Sequence, residues 1–190
     1  MIRRMEWLIS VGLLVAVAAW VAGVCHRLQL LRNEVCNAWE TWMADARRRN
    51  ETLGEFAAMI ALLLPPGEMQ PRTLRRLLAD SERVLRRGQG VLWQADAAAE
   101  EGERALLLEA ERAVRRAEEE SRRLTHEGLQ SLGASLAQRL ERQGQSARRL
   151  QLAAEAYNAA LREPPLQAVA ASLGFRCASL PVPHKNARLP

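Results

Sequence analysis

Residues 7–63 contain no proline. A single helix can therefore run from one end of this stretch to the other, because nothing in it removes a backbone donor or clashes with the preceding turn. Residues 7–25 (WLISVGLLVAVAAWVAGVC) carry no charge. About 20 apolar residues at 1.5 Å rise span a bilayer core of roughly 30 Å, and this run just reaches that length. From Leu28 onward the apolar residues contract to one stripe: Leu28, Leu31, Val35, Trp39, Trp42, Ala46, Leu53, Phe56, Ile60 and Leu63. Steps of three and four give the period of a half-buried helix. One gap in that stripe falls at Arg49. The sequence Pro65-Pro66-Gly67 is a stop. The stretch reads as one helix, apolar all round at first and one-sided afterwards, and the rest of the chain must cover that side.

Two alternatives to an uncleaved anchor are weaker. Arg3 and Arg4 precede the run as in a signal peptide, but the run is long and Ala22-Gly23-Val24 is a poor cleavage site. The bulky Val24 before Cys25 does not suit lipoprotein processing. Trp7 fits an interfacial position, and Gly12/Ala16 and Ala19/Gly23 are small pairs at helical spacing. The positive-inside count is nearly tied, with a slight lean to the N-terminus inside and the domain outside. The expected location is a bacterial inner membrane, crossed once.

Beyond Pro71 the chain is again helical in pattern. A second region is expected from Thr73 as N-cap, with stripe Leu74, Leu78, Leu85, Leu92, Ala95, Ala99, Leu106, Ala113, Ala117 and Leu124, broken or kinked at Gly88 and Gly90. The residues Thr125-His126-Glu127-Gly128 read as a turn. A third length carries Leu129, Leu132, Leu136, Leu140, Ala147, Leu150, Ala154, Tyr157 and Leu161, and ends at Pro164-Pro165. Residues 166–173 suit a short last helix closed by Gly174. The proline-containing tail is expected to be mobile. Amphipathic lengths joined by short turns bury their stripes on each other. The expected fold is all-α: an N-terminal transmembrane helix continuing into a long antiparallel up-down helical bundle. The boundaries are an anchor at 1–25, a bundle at 26–175 and a flexible tail at 176–190.

The formal charge is +5 and the pI about 10.0. A basic balance raises nucleic acid or an anionic surface as partners. Arginine is interleaved with glutamate at helical spacing in Glu82/Arg86, Glu100/Arg104, Glu111/Arg115, Glu118/Arg122 and Glu119/Arg123, as on a solvated face. No aromatics alternate with these charges, so no nucleic-acid partner is expected. Cys25, Cys36 and Cys177 give neither a disulfide framework nor a metal spacing. His26, His126 and His184 are isolated, and no nucleophile elbow or zinc-binding motif is present. Neither catalysis nor a cofactor or metal is expected.

The candidate residues are therefore structural. Arg49 either snorkels out of the stripe or enters the seam and pairs with a carboxylate or tyrosine from a later helix, since a buried charge requires such a partner. Asn33, Tyr157 and Asn158 are expected to bond between the first and last helices. Trp39 and Trp42 lie on the first stripe and are expected to pack in the core.

Several of these residues also carry a family likeness. Leu31-Arg32-Asn33, Val35, Ala38-Trp39 and then Arg47-Arg48-Arg49 are followed far downstream by Tyr157-Asn158, Pro164, Val169-Ala170 and Gly174-Phe175. This order behind an N-terminal anchor resembles the LemA family of bacterial membrane proteins. The likeness singles out Arg32, Asn33, Trp39, Arg48, Arg49, Tyr157, Asn158 and Phe175. It covers the two ends of the chain; the middle matches only in helical character. The chain departs from the family pattern at His26-Arg27, Trp42-Met43, Gly54 and Ser121-Arg122, as a divergent, shortened relative would. The resemblance implies an anchored antiparallel bundle and no particular activity. The functional expectation is a non-enzymatic scaffold that binds membrane or envelope proteins, or a second copy of itself. The alternative is an adaptor or sensor whose Arg-rich faces contact anionic lipid.

Overall fold

The computed structural model describes residues 2–63, 71–87, 97–124, 127–164 and 166–178. Among these residues there are five helices and no strand. Helix α1 spans Ile2–Leu63, α2 Pro71–Arg87, α3 Ala97–Leu124, α4 Glu127–Arg162 and α5 Leu166–Ser172. The expected stop at Pro65-Pro66-Gly67, the break at Gly88 and Gly90, part of the second turn (Thr125, His126) and the tail from 179 lie outside the described residues.

α1 has 62 residues, about 93 Å at 1.5 Å per residue. It ends at Leu63, just before Leu64-Pro65, where a residue preceding proline disfavours helical backbone. α2 begins at Pro71, not at an N-cap at Thr73. Proline suits a first-turn position, because its missing donor would be an orphan there in any case. The expected second helical region is two helices, α2 and α3. α4 opens with Glu127 and closes with Arg162, charges that complement the helix dipole at both ends. α5 is closed by Gly174 at φ +74°. Phe175 N–H donates to Ala170 C=O at 3.0 Å and Gly174 N–H to Ala171 C=O at 3.4 Å. This is a Schellman cap, which uses glycine for its left-handed residue.

α1 and α4 form the most extensive pairing. Arg27 faces Glu163 near one end and Arg49 faces Gln143 further along, so the two helices run in opposite directions. The core has two apolar compartments. The first holds Val24, Leu28, Val35, Trp39, Trp42 and Ala46 of α1 against Leu150, Tyr157 and Leu161 of α4, with Leu166 and Ala170 of α5. The second holds Leu53 and Phe56 of α1 against Leu106, Ala110 and Ala113 of α3 and Leu129 and Leu136 of α4. α2 brings Leu85 to the first compartment and Leu77 and Leu78 to the edge of the second. Among the residues of α1 whose side chains are described, Val24 is the first that is buried. Before it, Ile9, Leu13, Leu14, Val15 and Val17 are all more than half exposed. Within Ile9–Met59, α1 is long and apolar enough to cross a membrane, and only 6% of its most apolar window is buried in the fold.

Candidate functional site: a buried polar layer

Between the two compartments lies a layer built on Arg49, whose side chain is fully buried. Its Nη1 donates to Glu103 Oε1 at 2.5 Å and to Gln143 Oε1 at 2.9 Å. Nη2 donates to Asn50 Oδ1 at 2.7 Å and to Glu103 Oε2 at 3.3 Å, and Nε donates to Asn50 Oδ1 at 3.1 Å. The partners are also bonded to one another. Gln143 Nε2 donates to Glu103 at 2.9 Å, Asn50 Nδ2 to Ser81 Oγ at 3.0 Å, and Ser81 Oγ to Glu103 at 3.4 Å. Arg49 and Asn50 come from α1, Ser81 from α2, Glu103 from α3 and Gln143 from α4, so one network joins four helices. The buried cation is matched by one buried carboxylate.

The layer has a signature in the sequence. At the level of the layer each apolar stripe takes a step of seven where three or four belong: Ala46 to Leu53, Leu78 to Leu85, Ala99 to Leu106 and Leu140 to Ala147. Arg49, Ser81, Glu103 and Gln143 fill those four gaps, each three or four residues from the stripe residues flanking it. A polar residue at a stripe position is unfavourable alone. Four of them at one level satisfy each other. Sequence reasoning found the gap at Arg49 and missed the other three. The α3 stripe takes two more steps of seven, Leu106 to Ala113 and Ala117 to Leu124, so the gaps alone do not single out Glu103 as the partner.

The arrangement suits cross-linking better than chemistry. All five Arg49 donors point at acceptors, and both Glu103 oxygens are engaged. A hollow of about 190 Å³ beside the layer is lined by Arg47, Asn50, Glu51, Glu82, Leu85 and Arg86, and not by the Arg49–Glu103 pair. Among the described residues no group of histidine, cysteine, aspartate and glutamate is placed to hold a metal. A layer of this kind fixes register. Sliding one helix by a turn would put Arg49 in an apolar compartment without its carboxylate.

The other predicted residues divide. Arg48 is exposed and pairs with Asp45 at 3.6 Å on its own helix. Arg32 and Asn33 are exposed. Asn33 is thus not a seam residue. Its position on the helix turns it away from the stripe made by Leu31 and Val35. Trp39 is buried as expected, its ring 5.1 Å from that of Trp42 at 33°. Trp39 Nε1 is buried with no hydrogen-bond partner among the described residues. Tyr157 is buried in the first compartment. Burial raises its phenol above the ordinary value of 10.0, the Arg32 charge pulls the other way, and Cys177 and Cys36 add to the rise. Asn158 does not bond to α1. It donates to Ala178 C=O at 2.9 Å and accepts from Ala178 N–H at 2.7 Å. Phe175 is half-buried against the first compartment. Ala178 is buried too, so the chain is held on α4 two residues beyond the expected start of the mobile tail at 176. An asparagine side chain that mimics a strand edge supplies the two bonds. Arg122 donates to the Glu118 backbone carbonyl at 3.3 Å, unlike the side-chain pairs Glu82/Arg86, Glu100/Arg104 and Glu111/Arg115.

No family model matches the chain, and neither a curated protein nor a solved structure does.

Proposed function

We propose that this protein is a single-pass, membrane-anchored helical scaffold of the bacterial envelope, LemA-like in plan and without catalytic activity. α1 crosses the bilayer with its first third and becomes one stave of an antiparallel up-down bundle with α2, α3 and α4. The bundle presents its outer helix faces to membrane or envelope proteins, or to a second copy of the chain. One observation carries this reading. Within an uninterrupted helix, large apolar residues are exposed all round before Val24 and gathered mostly into a buried stripe after it, Leu30 and Leu62 being the exposed exceptions. In water the first part would expose Ile9, Leu13, Leu14, Val15 and Val17 together, a far larger apolar patch than soluble monomers carry. The saturated Arg49 layer supports the structural side of the proposal, because a rigid register keeps the presented faces in fixed relation.

Two measurements test it. The full chain should stay with the membrane fraction through alkaline and high-salt washes; release by salt alone would overturn the anchored reading. Photo-cross-linking in cells from Glu111, exposed on α3, and Leu152, 66% exposed on α4, should give discrete adducts with envelope proteins or with the chain itself. Absence of any adduct from either position would remove the scaffold reading.

A further inference from the structure

The base of the domain, where α1 passes from apolar run to buried stripe, has an unusual composition. Residues 164–175 carry no charge in a chain that is 26% charged. They include α5, and α5 is placed by its contacts. Leu166 and Ala170 share a compartment with Val24 and Leu28, and Glu163, just before α5, pairs with Arg27 at 3.4 Å. α5 therefore lies beside α1 at the level where the exposed apolar residues stop. Its outward positions are Gln167, Ala168, Ala171, Ser172 and Leu173, and Leu173 is 53% exposed. Exposed arginines flank it: Arg162 before, Arg176 after, and Arg27 across on α1.

A solvated helix of this chain looks different. α3 carries Glu100, Glu101, Arg104, Glu111, Arg112 and Arg115 on its outer positions. α5 has an outer face with neither charge nor a covering element among the described residues. We propose that α5 is a membrane-seating foot. Its uncharged face rests in the headgroup region of the bilayer that α1 crosses, Leu173 reaches toward the acyl boundary, and Arg162 and Arg176 meet lipid phosphates. The occupant follows from two features of the structure: α5 adjoins the membrane-crossing part of α1, and the flanking arginines complement anionic headgroups. The foot fixes the height and tilt of the bundle over the bilayer, which a lone span leaves to the lipid. This inference rests on the anchored reading of α1.

The test uses the full chain in vesicles of phosphatidylcholine and phosphatidylglycerol, with p-benzoylphenylalanine replacing Leu173, Leu14 or Gln130 one at a time. Leu14 lies in the apolar run and is 71% exposed; Gln130 is exposed at the far end of α4. After irradiation, lipid adducts are expected at 14 and 173 and not at 130. Adducts at 14 with none at 173 would overturn the foot and leave the anchor standing. Adducts at neither would overturn both. The double variant Arg162→Gln/Arg176→Gln should roughly halve the phosphatidylglycerol share of adducts at 173, as loss of charges near an anionic surface requires, and leave the share at 14 unchanged. An unchanged share at 173 would overturn the role of the arginines.

Discussion

The two halves of α1 share a backbone and differ in what surrounds them. From Trp7 to Gly23 the helix is apolar on every side and, among the described residues, belongs to neither core compartment. After it, the outward positions are mostly polar, Leu30 and Leu62 excepted, and one stripe is covered by α4, then by α3 and α2. The apolar stretch carries no charge. The second half buries a full guanidinium, because three other helices bring Glu103, Gln143 and Ser81 to meet it. A helix in lipid is specified by composition alone; a helix in a bundle is specified by its neighbours.

The sharpest way to break this contrast is to remove the counter-charge. Glu103→Ala leaves Arg49 buried and unpaired and should cost about 3–5 kcal/mol, read as a large drop in the thermal midpoint of the helical signal. The pair Arg49→Leu/Glu103→Leu should recover most of that loss, since a well-packed apolar pair can replace a buried ion pair. Next in size is a charge in the first half. Leu14→Arg should cost about 2.5–3.5 kcal/mol of insertion, seen as a smaller membrane-inserted fraction, with the domain's thermal midpoint unchanged.

Smaller effects refine the second half. Asn158→Ala removes two hydrogen bonds to Ala178, each worth about 0.5–1.5 kcal/mol. The expected result is faster amide exchange at Ala178, with exchange at Leu150 unaltered. Tyr157 is the chain's only tyrosine, so phenolate absorbance reports it directly. Its folded pKa is raised, so above pH 10 the unfolded chain loses this proton first. The Tyr157 contribution is therefore constant below pH 10, and stability falls as pH climbs from there through the folded pKa, by at most about 1.4 kcal/mol per pH unit. Tyr157→Phe should flatten that decline.

Much of this was legible in the residues. Period and proline placement gave the helices and most stripes, because burial by neighbouring helices selects positions every three or four residues whatever the partner. The capping role of Gly174 was legible for a local reason, since a left-handed residue closes α5. The partners were less legible. Glu103 looked like one more solvated glutamate in a run of Glu, Arg and Ala. Its place in a stripe gap did not set it apart, because Glu109 and Glu120 stand in gaps of the same stripe; only the level of the gaps on the other helices does. Asn158 was misassigned to α1 because the segment it holds, ending at Ala178, carries no periodic pattern. Asn33 was misassigned because its neighbours Leu31 and Val35 lie on the stripe, half-buried and buried, while its own position is turned away from them.

The central claim is that α1 passes from lipid into bundle without a break. Spin labels at Leu14 and Glu40, both exposed, on a chain with its native cysteines replaced and reconstituted in bilayers, test it directly. An unbroken helix places the two backbones about 39 Å apart at 1.5 Å per residue and gives one narrow distance distribution near that value. A broad or markedly shorter distribution would mean a flexible joint between the two halves and would contradict the account.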